Sequence, residues 1–110
     1  MSDTIEAPAA IQEFVAATNA GDSARFVAAF TEDAYLNDWG REFHGHAGVA
    51  SWDRTDNIGK RTHFQLHGVT PGAGPGEFDA DITVRGEGYN GRSTLAFTVE
   101  GDRVARLVIS

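Results

Sequence analysis

A change of hydrophobic period midway along the chain constrains its fold more than any other feature. Up to Gly59 the apolar residues mostly recur at helical spacing, and from Thr62 onward they alternate. The stretch EFDADITVR, 77–85, puts Phe78, Ala80, Ile82 and Val84 on one face and Glu77, Asp79, Asp81, Thr83 and Arg85 on the other. THFQLHGV (62–69), STLAFTVE (93–100) and RVARLVIS (103–110) read as further strands. PGAGPG (71–76), YNGR (89–92) and EGDR (100–103) supply turns between them, and Asn90-Gly91 is a hairpin marker. Helices first and an antiparallel meander afterwards predict an α+β fold with helices on one face of a sheet.

The helical half resolves into three segments. Ala7, Ala10, Ile11, Phe14, Val15 and Thr18 share a face behind Pro8, which suits a first turn, and Gly21 suits the position just past the end. Asp22 or Ser23 caps a second helix whose stripe is Phe26, Val27, Ala29 and Phe30, closed by 31–33. Residues 34–38 and 41–44 read as short strands with Gly40 turning between them. Residues 45–59 read as a third helix with Val49 and Trp52 on one face. The 110 residues fit a single domain, 1–110. A mainly antiparallel sheet of this size must curve to hold three helices in its concave face, as a cone or α+β barrel. Such a shape leaves an apolar cavity, the ordinary place for a ligand.

Composition narrows the functional classes. A formal net charge of −7 repels phosphate backbones and anionic membrane surfaces, so neither nucleic acid nor membrane is an expected partner. The absence of cysteine removes disulfides, thiolate metal sites and thiol nucleophiles. Residues 1–10 carry acids where a signal peptide needs bases, and no apolar run nears the roughly 20 residues of a membrane span. The expectation is a soluble cytoplasmic protein, complete as it stands.

The residues with chemical potential cluster in NDWGREFHGH, 37–46. Alternation places Asp38 on the face of Leu36. If that face is the core, Asp38 is a carboxylate in an apolar cavity; burial raises its proton affinity towards the range of a general base. The competing reading is a structural one, with Asp38 capping a turn at Gly40 or pairing with Arg41. His63 and His67 on one strand lie about 13 Å apart and cannot share an ion, and His44 and His46 fare little better at about 7 Å. No metal and no cofactor are expected. Phe14, Phe30, Trp39, Trp52, Phe64 and Phe97 are the candidates to line the cavity, and the Trp52 indole N–H or a histidine is a candidate donor.

The stretch 14–52 resembles the nuclear transport factor 2-like superfamily, in its SnoaL-like and ketosteroid isomerase-like branch. The matching features are a helix ending in Asn-Ala-Gly-Asp, then Phe-x3-Phe-x2-Asp-Ala, Asp-x-Gly, and Phe-x-Gly-x3-Val-x2-Trp. The strands ending in EGDRVARLVIS fit the same fold. The resemblance implies isomerase, polyketide cyclase or epoxide hydrolase chemistry, or a non-catalytic binding or dimer-forming module. It also implies a homodimer paired through the outer face of the sheet. Asp38 falls where ketosteroid isomerases carry the base that moves a proton alpha to a ketone. The oxyanion donors of those enzymes are missing: their positions fall on Phe14, near Leu95 and on Asp53. Losing one such donor typically costs about a hundredfold to a thousandfold in rate. The Asp-Arg-Asp set of the epoxide hydrolases finds no three matching positions. The expectation is a cofactor-free isomerase or cyclase with Asp38 as base, acting on a small apolar carbonyl compound. The alternative is a non-catalytic module of the same fold.

Overall fold

A computed structural model describes residues 5–110. Helix α1, Ala9–Ala20, buries Ala10, Ile11, Phe14, Ala17 and Thr18. It ends at Gly21, whose φ of 67° lets the Gly21 N–H reach the Thr18 carbonyl and the Asp22 N–H reach that of Ala17. Asp22 then caps α2, Ser23–Ala28, by accepting the Arg25 N–H at 3.1 Å.

Helix α2 is shorter than the sequence suggests. Strand β1 runs Phe30–Asp38, so Phe30 and residues 31–33 belong to the sheet. The apolar period cannot separate the two, because Phe30 is fully buried on the strand just as a helix would require. The deciding partner lies far along the chain: the Val104 N–H donates to the Ala29 carbonyl, and Phe30 pairs with Val104.

Then come β2 (Arg41–His44), α3 (Gly45–Asp56) and a single 3-10 turn, Ile58–Lys60. Helix α3 stops three residues short of Gly59 because Asn57 leaves helical geometry, at φ −114° and ψ −103°. A β-carbon at Gly59 would collide with the Arg54 carbonyl, which fixes glycine there for close approach. The remaining strands are β3 (His63–Pro71), β4 (Glu77–Arg85), β5 (Gly91–Glu100) and β6 (Arg103–Ile109). Asn90-Gly91 is no two-residue turn. It ends a longer loop, which the Asn90 side chain ties by accepting from the Gly86 N–H and donating to the carbonyls of Gly86 and Gly88.

The six strands form one sheet in the order β2-β1-β6-β5-β4-β3. Only β1 and β6 run parallel; the other neighbours are antiparallel. Register shifts interrupt the β1/β6, β3/β4 and β5/β6 ladders. Such irregularities bend strands and increase twist, which suits a sheet that must hold helices against one face. The shift in β3 also changes the parity of burial, from Phe64 to Val69.

Phe14 is the centre of the core. Its ring lies 5.1 Å from Phe64 in a near-parallel stack and 5.1 Å from Phe97 edge-on, with Phe26 at 5.4 Å and Phe30 at 6.1 Å. Asn19 locks α1 to β3 by donating to the Phe64 carbonyl at 2.9 Å and accepting the Phe64 N–H at 2.7 Å. No helix among the described residues is long and apolar enough to cross a membrane.

Candidate functional site

Strand β1 buries Leu36 completely and, two residues on, carries Asp38 to the end of the same face. The Asp38 side chain is 16% exposed. The pair Asp38–Arg41 closes a two-residue hairpin in which Trp39 and Gly40 both have left-handed backbones, at φ 54° and 90°. Positive φ at both central positions is what such a turn requires, and a tryptophan adopts it at a cost of about 1–2 kcal/mol. Asn37, not Asp38, caps the turn: its Oδ1 accepts the Gly40 N–H at 2.8 Å.

The hairpin aims Arg41 back across the site. Its Nη2 donates to Asp38 Oδ2 at 2.7 Å, and the same guanidinium donates to Asp56 at 3.0 and 3.3 Å. Helix α3 presents Trp52 and Asp56 one turn apart, and Trp52 Nε1 donates to Asp38 Oδ2 at 3.0 Å. Arg41 and Trp52 thus hold the same oxygen. Asp38 Oδ1 has no protein partner among the described residues. Burial pushes the Asp56 carboxyl up, but hydrogen bonds from Arg41 and Thr55, with the charges of Arg41 and Lys60, hold it below the usual value. The bond to Asp56 in turn holds Arg41 above its own usual value.

These groups edge a cavity of about 280 Å³. Trp52, Phe64, Val84, Leu95 and Ile109 form its apolar wall, and Asp38, Arg41, Asp56, Asn57, Lys60, Thr62 and Ser93 its polar one. Trp39 and Tyr89, both exposed, also line it. Of the residues singled out in the sequence, Asp38, Trp39, Trp52 and Phe64 come together here. Phe14, Phe30 and Phe97 do not; they sit behind the wall in the aromatic core.

Several expected roles change. Trp52 N–H is committed to Asp38, so it is not a free donor. None of the four histidines lines the cavity. His46 Nε2 lies 2.8 Å from the Phe30 carbonyl, and His67 Nε2 lies 2.6 Å from Thr83 Oγ1. No cluster of three or more metal-ligating side chains occurs among the described residues. Asp38, Arg41 and Asp56 form one ion-paired group at the cavity edge. Sequence reasoning missed Asp56, Asn57, Lys60 and Tyr89 altogether. Only Asp56 left a trace, its spacing of four from Trp52.

The sequence of residues 11–107 matches the family model of the SnoaL-like domain. The chain belongs to the SnoaL-like domain family. The chain shares its fold with solved structures, among them a nuclear transport factor 2-like protein. A polyketide cyclase candidate from Sinorhizobium meliloti superposes with a TM-score of 0.78 at 21% identity, covering 94% of this chain and 95% of that one. The Δ5-3-ketosteroid isomerase of a Mycobacterium species gives 0.76 at 19% identity, with 93% and 89% covered. A Mycobacterium tuberculosis protein in complex with estradiol-17β-hemisuccinate gives 0.77 at 16% identity, with 91% and 88% covered. Among curated proteins nothing matches.

Proposed function

We propose that this SnoaL-like chain is a cofactor-free isomerase or cyclase in which Asp38 removes a proton alpha to the carbonyl of a small apolar compound. The observation that carries the reading is the asymmetry of the Asp38 carboxylate at the cavity edge: Oδ2 is held by Arg41 and Trp52, while Oδ1 has no partner among the described residues. A base held in one orientation with one oxygen open meets the positional demand of proton transfer. Oδ1 takes the proton, the carbon–hydrogen pair becomes an enolate, and charge collects on the carbonyl oxygen. The Lys60 ammonium, the Tyr89 and Ser93 hydroxyls and the Trp39 indole N–H are wall groups able to donate to it. The proton then returns from Asp38 to another carbon, or the enolate carbon adds to a second carbonyl of the ligand, whose π bond opens to an alkoxide that takes the proton back from Asp38. A ketosteroid isomerase and a steroid-ester complex among the structural neighbours support a ligand of this kind. Asp38→Asn should abolish deuterium exchange at the alpha carbon of a β,γ-unsaturated ketone, followed by NMR, while circular dichroism stays native. An unchanged exchange rate sinks the proposal.

The second reading is a non-catalytic ligand-binding or dimerisation module. The ion pair of Asp38 with Arg41 favours it, as do the apolar side chains at Phe14 and Leu95. On that reading Asp38→Ala lowers stability and leaves ketone affinity unchanged. Either way we take the protein to be cytoplasmic, with a homodimer formed through the outer face of β4, where Asp81 is bonded to Arg92. Sedimentation velocity showing only monomer at high micromolar concentration would remove the dimer.

A further inference from the structure

Four charged residues line the cavity: Asp38, Arg41, Asp56 and Lys60. Three of them satisfy one another. Arg41 bonds both acids, Trp52 donates a further bond to Asp38, and Thr55 Oγ1 donates one to Asp56 Oδ2 at 2.7 Å. Lys60 is ion-paired with no carboxylate among the described residues, although acids outnumber bases 16 to 9 in the chain. Its neighbour Arg61 does have such a partner, Glu87 at 3.6 Å. The Lys60 charge still reaches the cavity edge, where it helps to hold the Asp56 carboxyl down. The backbone that carries it is fixed. The Lys60 N–H donates to the Asn57 carbonyl at 2.9 Å, and the Lys60 carbonyl accepts the Glu87 N–H at 2.8 Å. The stem runs beside Gly88, which also lines the cavity: a β-carbon there would lie 3.5 Å from Lys60 Cγ. Lys60 is thus a solvent-accessible cation on a fixed anchor at the cavity.

We propose that Lys60 holds an anionic group of the ligand, and that the ligand is a small apolar keto acid. The apolar wall of Phe64, Val84, Leu95 and Ile109 takes the body of such a molecule, and its carboxylate pairs with Lys60. An ammonium beside an apolar surface attracts an anion more strongly than one in bulk water, because the wall lowers the local dielectric. Arg41 competes poorly for that anion, since two carboxylates already share its guanidinium. A neutral ligand of the same shape forgoes the pairing. The inference rests on the cavity being a ligand site. It assigns Lys60 to the acid and leaves the Tyr89 and Ser93 hydroxyls and the Trp39 indole N–H for the carbonyl oxygen.

The test compares indane-2-carboxylate with indane-2-carboxamide, which has the same body and no charge. Binding is read from the fluorescence of Trp39 and Trp52, both on the cavity wall. Lys60→Met keeps the stem and removes the charge. It should weaken the carboxylate about fivefold and leave the amide within about twofold of wild type. Lys60→Arg should keep the carboxylate within about twofold of wild type. A carboxylate bound as tightly by Lys60→Met as by wild type overturns the inference and leaves the cavity reading intact. So does an equal loss for both compounds, which would make Lys60 a packing residue, and so does binding of the amide alone. Failure of both compounds to bind up to their solubility overturns the inference together with the cavity as a ligand site. Should Lys60→Met not fold, salt serves instead on the wild-type protein. Raising sodium chloride to about 0.5 M should weaken the carboxylate and not the amide, and an equal response of the two overturns the inference.

Discussion

The two ends of the space between helices and sheet are finished differently. At one end Phe14, Phe26, Phe30 and Phe97 are fully buried against one another with no polar side chain among them. At the other, around Asp38, charged groups cross-bond, and Trp39 is 71% exposed on a strained backbone. Phe64 belongs to both, stacked on Phe14 and facing the cavity. The difference teaches that aromatic content alone does not mark a site. The aromatic end supplies stability. The polar end spends some of it on a strained turn and on charged groups gathered at the cavity edge.

The largest expected effect tests the aromatic end. Phe14→Ala should cost about 3–5 kcal/mol in urea unfolding, the usual result of emptying a large aromatic site in a packed core. A loss below about 1 kcal/mol would mean that the ring is dispensable and the division into two ends false. Next comes Arg41. Asp56 is held below its usual value, so its contribution to stability is complete above the unfolded value of about 3.9 and is lost as pH falls through the lower folded value. Arg41→Gln removes the main cause of that lowering. The variant should therefore lose less stability than wild type on acidification below about pH 4. At neutral pH it should be weaker by no more than about 1 kcal/mol, since the guanidinium is about half exposed. Parallel acid unfolding curves would show that the ion pairs do not form in solution. The smallest effect is expected at the turn. Trp39→Asn should raise stability by up to about 1 kcal/mol in thermal unfolding, because asparagine tolerates left-handed geometry better. Ligand affinity should fall at the same time, and a simultaneous gain in both would detach Trp39 from the site.

What the sequence made legible follows from the range of each signal. The strand of residues 77–85 and the cap at Gly21 depend on neighbours within a few positions, and both were readable. The facing of Asp38 with Leu36 was readable for the same reason. The start of β1 at Phe30 was not, since it is decided by Val104, far away in the chain. Nor was the placement of Phe14: an apolar residue on a buried face looks the same whether a cavity or a core lies in front of it. Asp56 and Asn57 were hidden because they were read as part of a helix that in fact ends between them.

Strand β6 carries a consequence for how the molecule is made. It is the last of the six strands in sequence, yet it sits between β1 and β5 and, among the described residues, joins the two halves of the sheet. During synthesis α1, α2, β1 and β2 leave the ribosome long before the strand that completes their ladder exists. Until β6 emerges, β1 offers a bare edge to any passing chain. Pairing over such a sequence separation is slow. Refolding should therefore be governed by the docking of β6, and a nascent chain halted ahead of Arg103 should hold helices without a closed sheet and depend on chaperones to stay in solution.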